Sequence, residues 1–87
     1  MTTIEKHIVK FIEDKFSFPY LYYDKEEKTW ANEFFLFDVN TSTMYVSDDV
    51  KQTLYKKFGK DFIDKIMLIV VNAWFHRVYK LKIEEIV

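Results

Sequence analysis

The sequence predicts a small α+β domain: an antiparallel sheet of about three to four strands with helices packed on one face, in the order α-β-β-β-α-α-β. Three observations predict it. Apolar residues recur at helical spacing near the start of the chain and again through its second half. Between these stretches lie short aromatic and β-branched runs separated by polar turn residues. Strands and helices thus occur in separate blocks, and the simplest way to bury both is a sheet covered by helices on one side.

The first helix is signalled by Thr2 and Glu5, which have capping-box spacing. Ile4, Ile8, Phe11, Ile12 and Phe16 then share one helical face, while Lys6, Lys10, Glu13 and Asp14 point elsewhere. Pro19 is expected to end the element, because the residue before a proline is pushed out of helical geometry. Tyr20–Tyr23 is short and rich in β-formers. Asp24–Lys28 is a polar turn leading to the next strand, Glu33–Val39. There Phe35, Phe37 and Val39 share one face, and Phe34, Leu36 and Asp38 the other. Apolar residues on both faces predict a central strand covered on both sides near its start. Asn40, Thr41 and Ser42 turn the chain, and Thr43–Val46 returns as the second arm of a hairpin.

Ser47 is placed to cap a second helix, with Asp48 and Asp49 favouring its positive end. Val50, Leu54 and Phe58 form its apolar stripe, and Gly59, the only glycine, stands where a helix ends most easily in a positive φ. Ile66–Val71 is compatible with a strand, but Asp61, Lys65, Asn72 and His76 recur at spacings of four, seven and four. That stripe predicts a helix over Asp61–Tyr79. Its polar face is narrow, so burial on most sides is expected. Leu81 and Ile83 alternate with Lys82 and Glu84, predicting a terminal strand over Lys80–Val87.

A chain of 87 residues, 49% hydrophobic and 31% charged, has the composition of one globular domain, taken here as residues 1–87. It has no cysteine, which excludes disulfides and thiolate zinc sites and favours a cytoplasmic setting. Glu5, Lys6 and His7 precede any apolar stretch, so no signal peptide is expected. The longest apolar run, Ile66–Val71, is far shorter than a membrane helix requires, and no membrane association is expected. Heavy use of Phe, Ile, Lys, Tyr and Asn, whose codons are AT-rich, points to an AT-rich genome and fits a virus or mobile element. Charge is uneven: residues 1–49 carry ten acids and five bases, and residues 50–87 carry four acids and eight bases.

Motifs for catalysis are missing. His7 and His76 have no second histidine or acid four residues on that would form a local metal site, nor a neighbouring nucleophile to activate. Asp24, Glu26 and Glu27 alternate with Lys25 and Lys28, as in a solvated loop, and lack the glycine and further acids of a calcium loop. There is no G-x-S-x-G, and one glycine cannot build a phosphate-binding loop. The expectation is a non-enzyme without cofactor or metal.

Two features remain. Lys51, Lys56, Lys57, Lys60 and Lys80 fall within a basic stretch whose helix–turn–helix outline suits nucleic-acid binding. Against this stand the net charge of −1, the single arginine and the apolar character of the second helix. The stronger feature is aromatic content, 20% of the chain. Phe11, Phe16, Phe35, Phe37, Phe58, Phe62 and Trp74 fit a core by their spacing. Tyr20, Tyr22, Tyr23, Trp30, Phe34, Tyr45, Tyr55 and Tyr79 are harder to enclose in so small a domain. Tyr20, Tyr22, Tyr23 and Trp30, with Asp24, Glu26 and Glu27 as a charged rim, are the candidate contacts for another protein or for a homodimer. The alternative is a second small core on the opposite sheet face. The expected function is a non-enzymatic protein–protein interaction module, of the kind a virus or mobile element uses to modulate a host protein; nucleic-acid binding is the alternative.

Overall fold

Residues 2–18 and 20–87 are described by the structure, a computed structural model. Helix α1 (Thr3–Phe16) opens on the expected capping box: the Glu5 N–H donates to Thr2 Oγ1 at 3.3 Å and the Thr2 N–H donates to Glu5 Oε2 at 2.9 Å. It stops at Ser17, which adopts a left-handed conformation at φ 55°. The stop expected at Pro19 lies outside the described residues. Ile8, Val9, Ile12 and Phe16 are buried, whereas Ile4 is exposed.

Strands β1 (Tyr22–Asp24), β2 (Thr29–Ala31), β3 (Phe35–Asp38) and β4 (Thr43–Val46) form an antiparallel meander in chain order. Helix α2 (Asp48–Phe58) and helix α3 (Lys60–Tyr79) follow, separated by Gly59 alone. Strand β5 (Glu85–Ile86) then pairs with β4 in parallel. The expected sheet of three to four antiparallel strands is therefore corrected to a mixed sheet of five, in element order α-β-β-β-β-α-α-β. Two physical reasons account for the difference. Strand β2 is three residues long and carries no alternation of its own; it exists because both neighbours pair with it. Strand β5 returns after two helices, a crossover that brings it back in the direction of β4. Residues 81–84 of the expected terminal strand are instead a connection, held where the Asn72 side chain grips both backbone groups of Ile83.

Register decides what each strand residue faces. Tyr23, Trp30, Phe37, Met44 and Ile86 are cross-strand neighbours and point towards the helices. Phe35 and Val46 share that face, and Phe35, Phe37, Met44 and Val46 are buried. Helix α3 supplies Ile63, Met67, Val70, Val71, Trp74 and Phe75 to the same core. At its centre Phe18 lies 4.5 Å from Trp74 and 4.7 Å from Phe35, measured between ring centroids.

Three expectations about burial need correction. Strand β3 is central, but it is covered on one side only, because Leu36 points into solvent. Helix α3 is not enclosed on most sides: Phe62, Ile69 and Val78 are exposed, so Phe62 is a surface residue and not part of the core. Phe18 and Phe75, which spacing left unassigned, are fully buried in its place. A second core beyond the sheet does not form, since Tyr22, Leu36 and Tyr45 all stand in solvent there.

Candidate interaction surfaces

The helix-free face of the sheet carries two parallel rows. Tyr22, Ala31, Leu36 and Tyr45 are successive cross-strand neighbours and form an apolar row over β1 to β4. Two residues along each strand lies the second row: Asp24, Thr29, Asp38, Thr43 and Glu85. Among the described residues, none of its carboxylates has a lysine or arginine within ion-pair distance. In the apolar row Tyr22 is 84% exposed, Tyr45 47% and Leu36 39%. An antiparallel sheet face in contact with water is normally polar; a contiguous aromatic and aliphatic row on it is the kind of patch that binds a partner.

The predicted contact residues are divided by strand alternation. Tyr22 and Asp24 lie on the bare face. Tyr23 and Trp30 point the other way, where Trp30 is sandwiched between Tyr23 and Tyr79 at 4.8 and 4.4 Å. Trp30 is accordingly half-buried and belongs to the packing of the domain. Tyr20 is exposed ahead of β1. Glu26 and Glu27 are exposed in the β1–β2 turn, where their backbone N–H groups donate to Asp24 Oδ1. Ala31, Leu36, Tyr45, Asp38 and Glu85 complete the face and were not among the predicted residues. The period-two pattern of β3 and β4 marks Leu36 and Tyr45 as sharing a face, but only the pairing register sets Tyr22 beside them.

Of the basic residues, Lys51, Lys56, Lys57 and Lys60 lie on α2 and at its junction with α3, and Lys80 lies apart from them. Lys56 and Lys57 are exposed at the end of α2, with the Lys57 ammonium over the Phe11 ring at 5.0 Å. Lys51 borders a cavity of about 270 Å³ between α2, α3 and β5. Lys80 caps the C-terminal end of α3, a 20-residue helix, which sets it about 30 Å from Lys60 at the other end.

Lys60 belongs to a small polar triad at the α2–α3 junction. Asp64 accepts hydrogen bonds from the Lys60 ammonium and from the Tyr55 hydroxyl, both at 2.7 Å. The bond from Lys60 and then that from Tyr55 hold the Asp64 carboxyl below the usual carboxylate range. Reciprocally, the bond to Asp64 raises the pKa of the Tyr55 phenol and that of the Lys60 ammonium. Lys60 and Asp64 are exposed and Tyr55 is half-buried, and the triad fastens α2 to α3. His7 and His76 are both exposed. Among the described residues no group of histidines and carboxylates could hold a metal ion, and no helix is long and apolar enough to cross a membrane.

No protein-family model, curated protein or solved structure shows a significant match to this chain.

Proposed function

We propose that the chain is a non-enzymatic protein-interaction module that docks its partner on the helix-free face of the sheet. One observation carries the reading: Tyr22, Leu36 and Tyr45 are exposed in one apolar row, with the half-buried Ala31 between Tyr22 and Leu36, although the core is built from other residues. The acidic row beside it selects the partner's chemistry, an apolar ridge flanked by lysine or arginine. Heavy use of Phe, Ile, Lys, Tyr and Asn, residues with AT-rich codons, supports a virus or mobile element as the source. The partner would then be a host protein, met in the host cytoplasm.

The test compares the unaltered chain with a Tyr22→Ala, Leu36→Ala, Tyr45→Ala variant as baits in extracts of the source cell. The variant should keep its thermal midpoint within a few degrees, because exposed side chains contribute little to folding, and should lose a protein that the unaltered chain retains. Identical retained proteins, or a variant that unfolds, would overturn the reading. Nucleic-acid binding through Lys51, Lys56, Lys57, Lys60 and Lys80 ranks second because the net charge is −1 and Lys80 lies at the far end of α3 from the other four; salt-sensitive retention on DNA or RNA would promote it.

A further inference from the structure

The sheet face is not the only uncovered apolar surface. Along α3, Phe62, Ile66, Ile69 and Ala73 follow one another at spacings of four, three and four, so they lie in one ridge. Ile69 is 62% exposed, Phe62 and Ala73 are exposed, and Ile66 is half-buried. At 3.6 residues per turn, Lys65 borders the ridge on one flank and Arg77 on the other, and Lys80 closes its C-terminal end. None of these three cations forms an ion pair among the described residues. Asp61 stands on the Lys65 flank near the N-terminal end of the ridge.

The two surfaces match in length, in polarity and in charge. Four residues across three inter-strand spacings make a row about 14 Å long. From Phe62 to Ala73 a helix rises about 16 Å. A helix laid across the strands, along the row Tyr22–Tyr45, sets the α3 ridge against apolar side chains throughout its length. The row carrying Asp24, Asp38 and Glu85 then lies along one flank of that helix, within reach of a long basic side chain. Both flanks of the ridge bear such a cation, so either direction of the helix offers one.

We infer that the chain associates head to tail with a second copy of itself, the α3 ridge of one copy seated on the bare sheet face of the next. This rests on the proposed role of the sheet face and gives it a second occupant, which a host protein would displace. The two patches are different surfaces of one molecule, so the contact is heterologous: one contact leaves a free ridge at one end and a free sheet face at the other. Growth beyond a dimer follows, into a short filament or a closed ring. Two α3 ridges do not pair with each other, because each is bordered by Lys65, Arg77 and Lys80 and like charges would meet.

The decisive measurement is sedimentation of the unaltered chain and of two single-surface variants. The unaltered chain should sediment faster as its concentration rises from about 10 µM to about 1 mM, the range expected for a small contact. Salt at about 0.5 M should weaken the association several-fold by screening its rim. Leu36→Lys, which spoils the sheet face, and Ile69→Glu, which spoils the ridge, should each be monomeric alone. Mixed in equal amounts they should form a dimer and nothing larger, since each supplies the surface the other lacks. Tyr45→Lys and Ile69→Ser serve the same purpose should either first variant fail to fold. A chain that stays monomeric at about 1 mM overturns this inference and leaves the sheet-face reading to its own capture experiment. Variants that self-associate singly, or that fail to combine when mixed, overturn it as well.

Discussion

Asn72 shows how one side chain places a strand. Spacing assigned it to a polar stripe with Asp61, Lys65 and His76. In the fold its Nδ2 donates to the Ile83 carbonyl at 2.6 Å, and its Oδ1 accepts from the Ile83 N–H at 2.5 Å. Both bonds are partly buried, so Asn72→Ala leaves two backbone groups without partners and should cost about 2 kcal/mol in urea denaturation. Gly59 is a second single-residue determinant. Its φ of 93° and ψ of 137° suit glycine alone, yet a Cβ added there would meet nothing within 4 Å. Gly59→Ala should therefore cost about 1–3 kcal/mol, all of it backbone strain, with no repacking of neighbouring side chains. The Tyr55–Asp64–Lys60 triad gives a test by titration. Asp64 has a depressed pKa, so its bonds persist as pH falls until the pH passes below the usual carboxylate range. Lys60 and Tyr55 have raised values, so their side of the triad is lost only as pH rises beyond the ordinary lysine and tyrosine ranges. Carboxyl NMR should find Asp64 titrating below the usual carboxylate range, and Tyr55→Phe should move it partway back.

Elements with strong local signals formed where spacing placed them. The α1 capping box, the Ser47 cap of α2 and the glycine at its end are interactions within a few residues of chain, readable without the fold. Strands β2 and β5 were the elements misjudged, and both depend on partners distant in sequence. Strand β2 also sorts the aromatics. Trp30 points to the helices and stacks between two tyrosines, whereas Tyr22 on the neighbouring strand faces water. Trp30→Ala should thus cost about 2–4 kcal/mol and Tyr22→Ala less than about 0.5 kcal/mol, measured by denaturation of each variant. Equal losses for the two would place Tyr22 in the packing and remove the apolar row as a free surface.

As a whole the molecule is two layers, helices on one face of a five-stranded sheet, with Phe18, Trp74, Phe75, Phe35 and Phe37 in ring contact between them. Phe18 lies in the segment joining α1 to β1 and has no periodic pattern to announce it; the rings around it decide its burial. Phe18→Ala should cost about 3–5 kcal/mol, most of the stability of a domain this small, and the protein should be largely unfolded near 37 °C by circular dichroism. The same two-layer plan leaves the outer side of the sheet and one side of α3 uncovered. An excess of aromatic residues over what a small core holds was visible in the composition. Which rings remain outside was not, because Phe62 and Phe75 sit on one helix with equal hydrophobicity and opposite fates.

The sequence alone determined the kinds of element and most of their ends, because helical periodicity, caps and turn residues act over a few neighbouring positions. It also determined that aromatic side chains exceed the room inside. Tertiary structure alone decided that β2 exists, that β5 runs parallel to β4, and that Tyr22 joins Leu36 and Tyr45 while Tyr23 joins Trp30. The physical reason is the two-residue period of a strand: a side chain's face follows from its pairing register, and register is set by contacts between residues far apart in the chain.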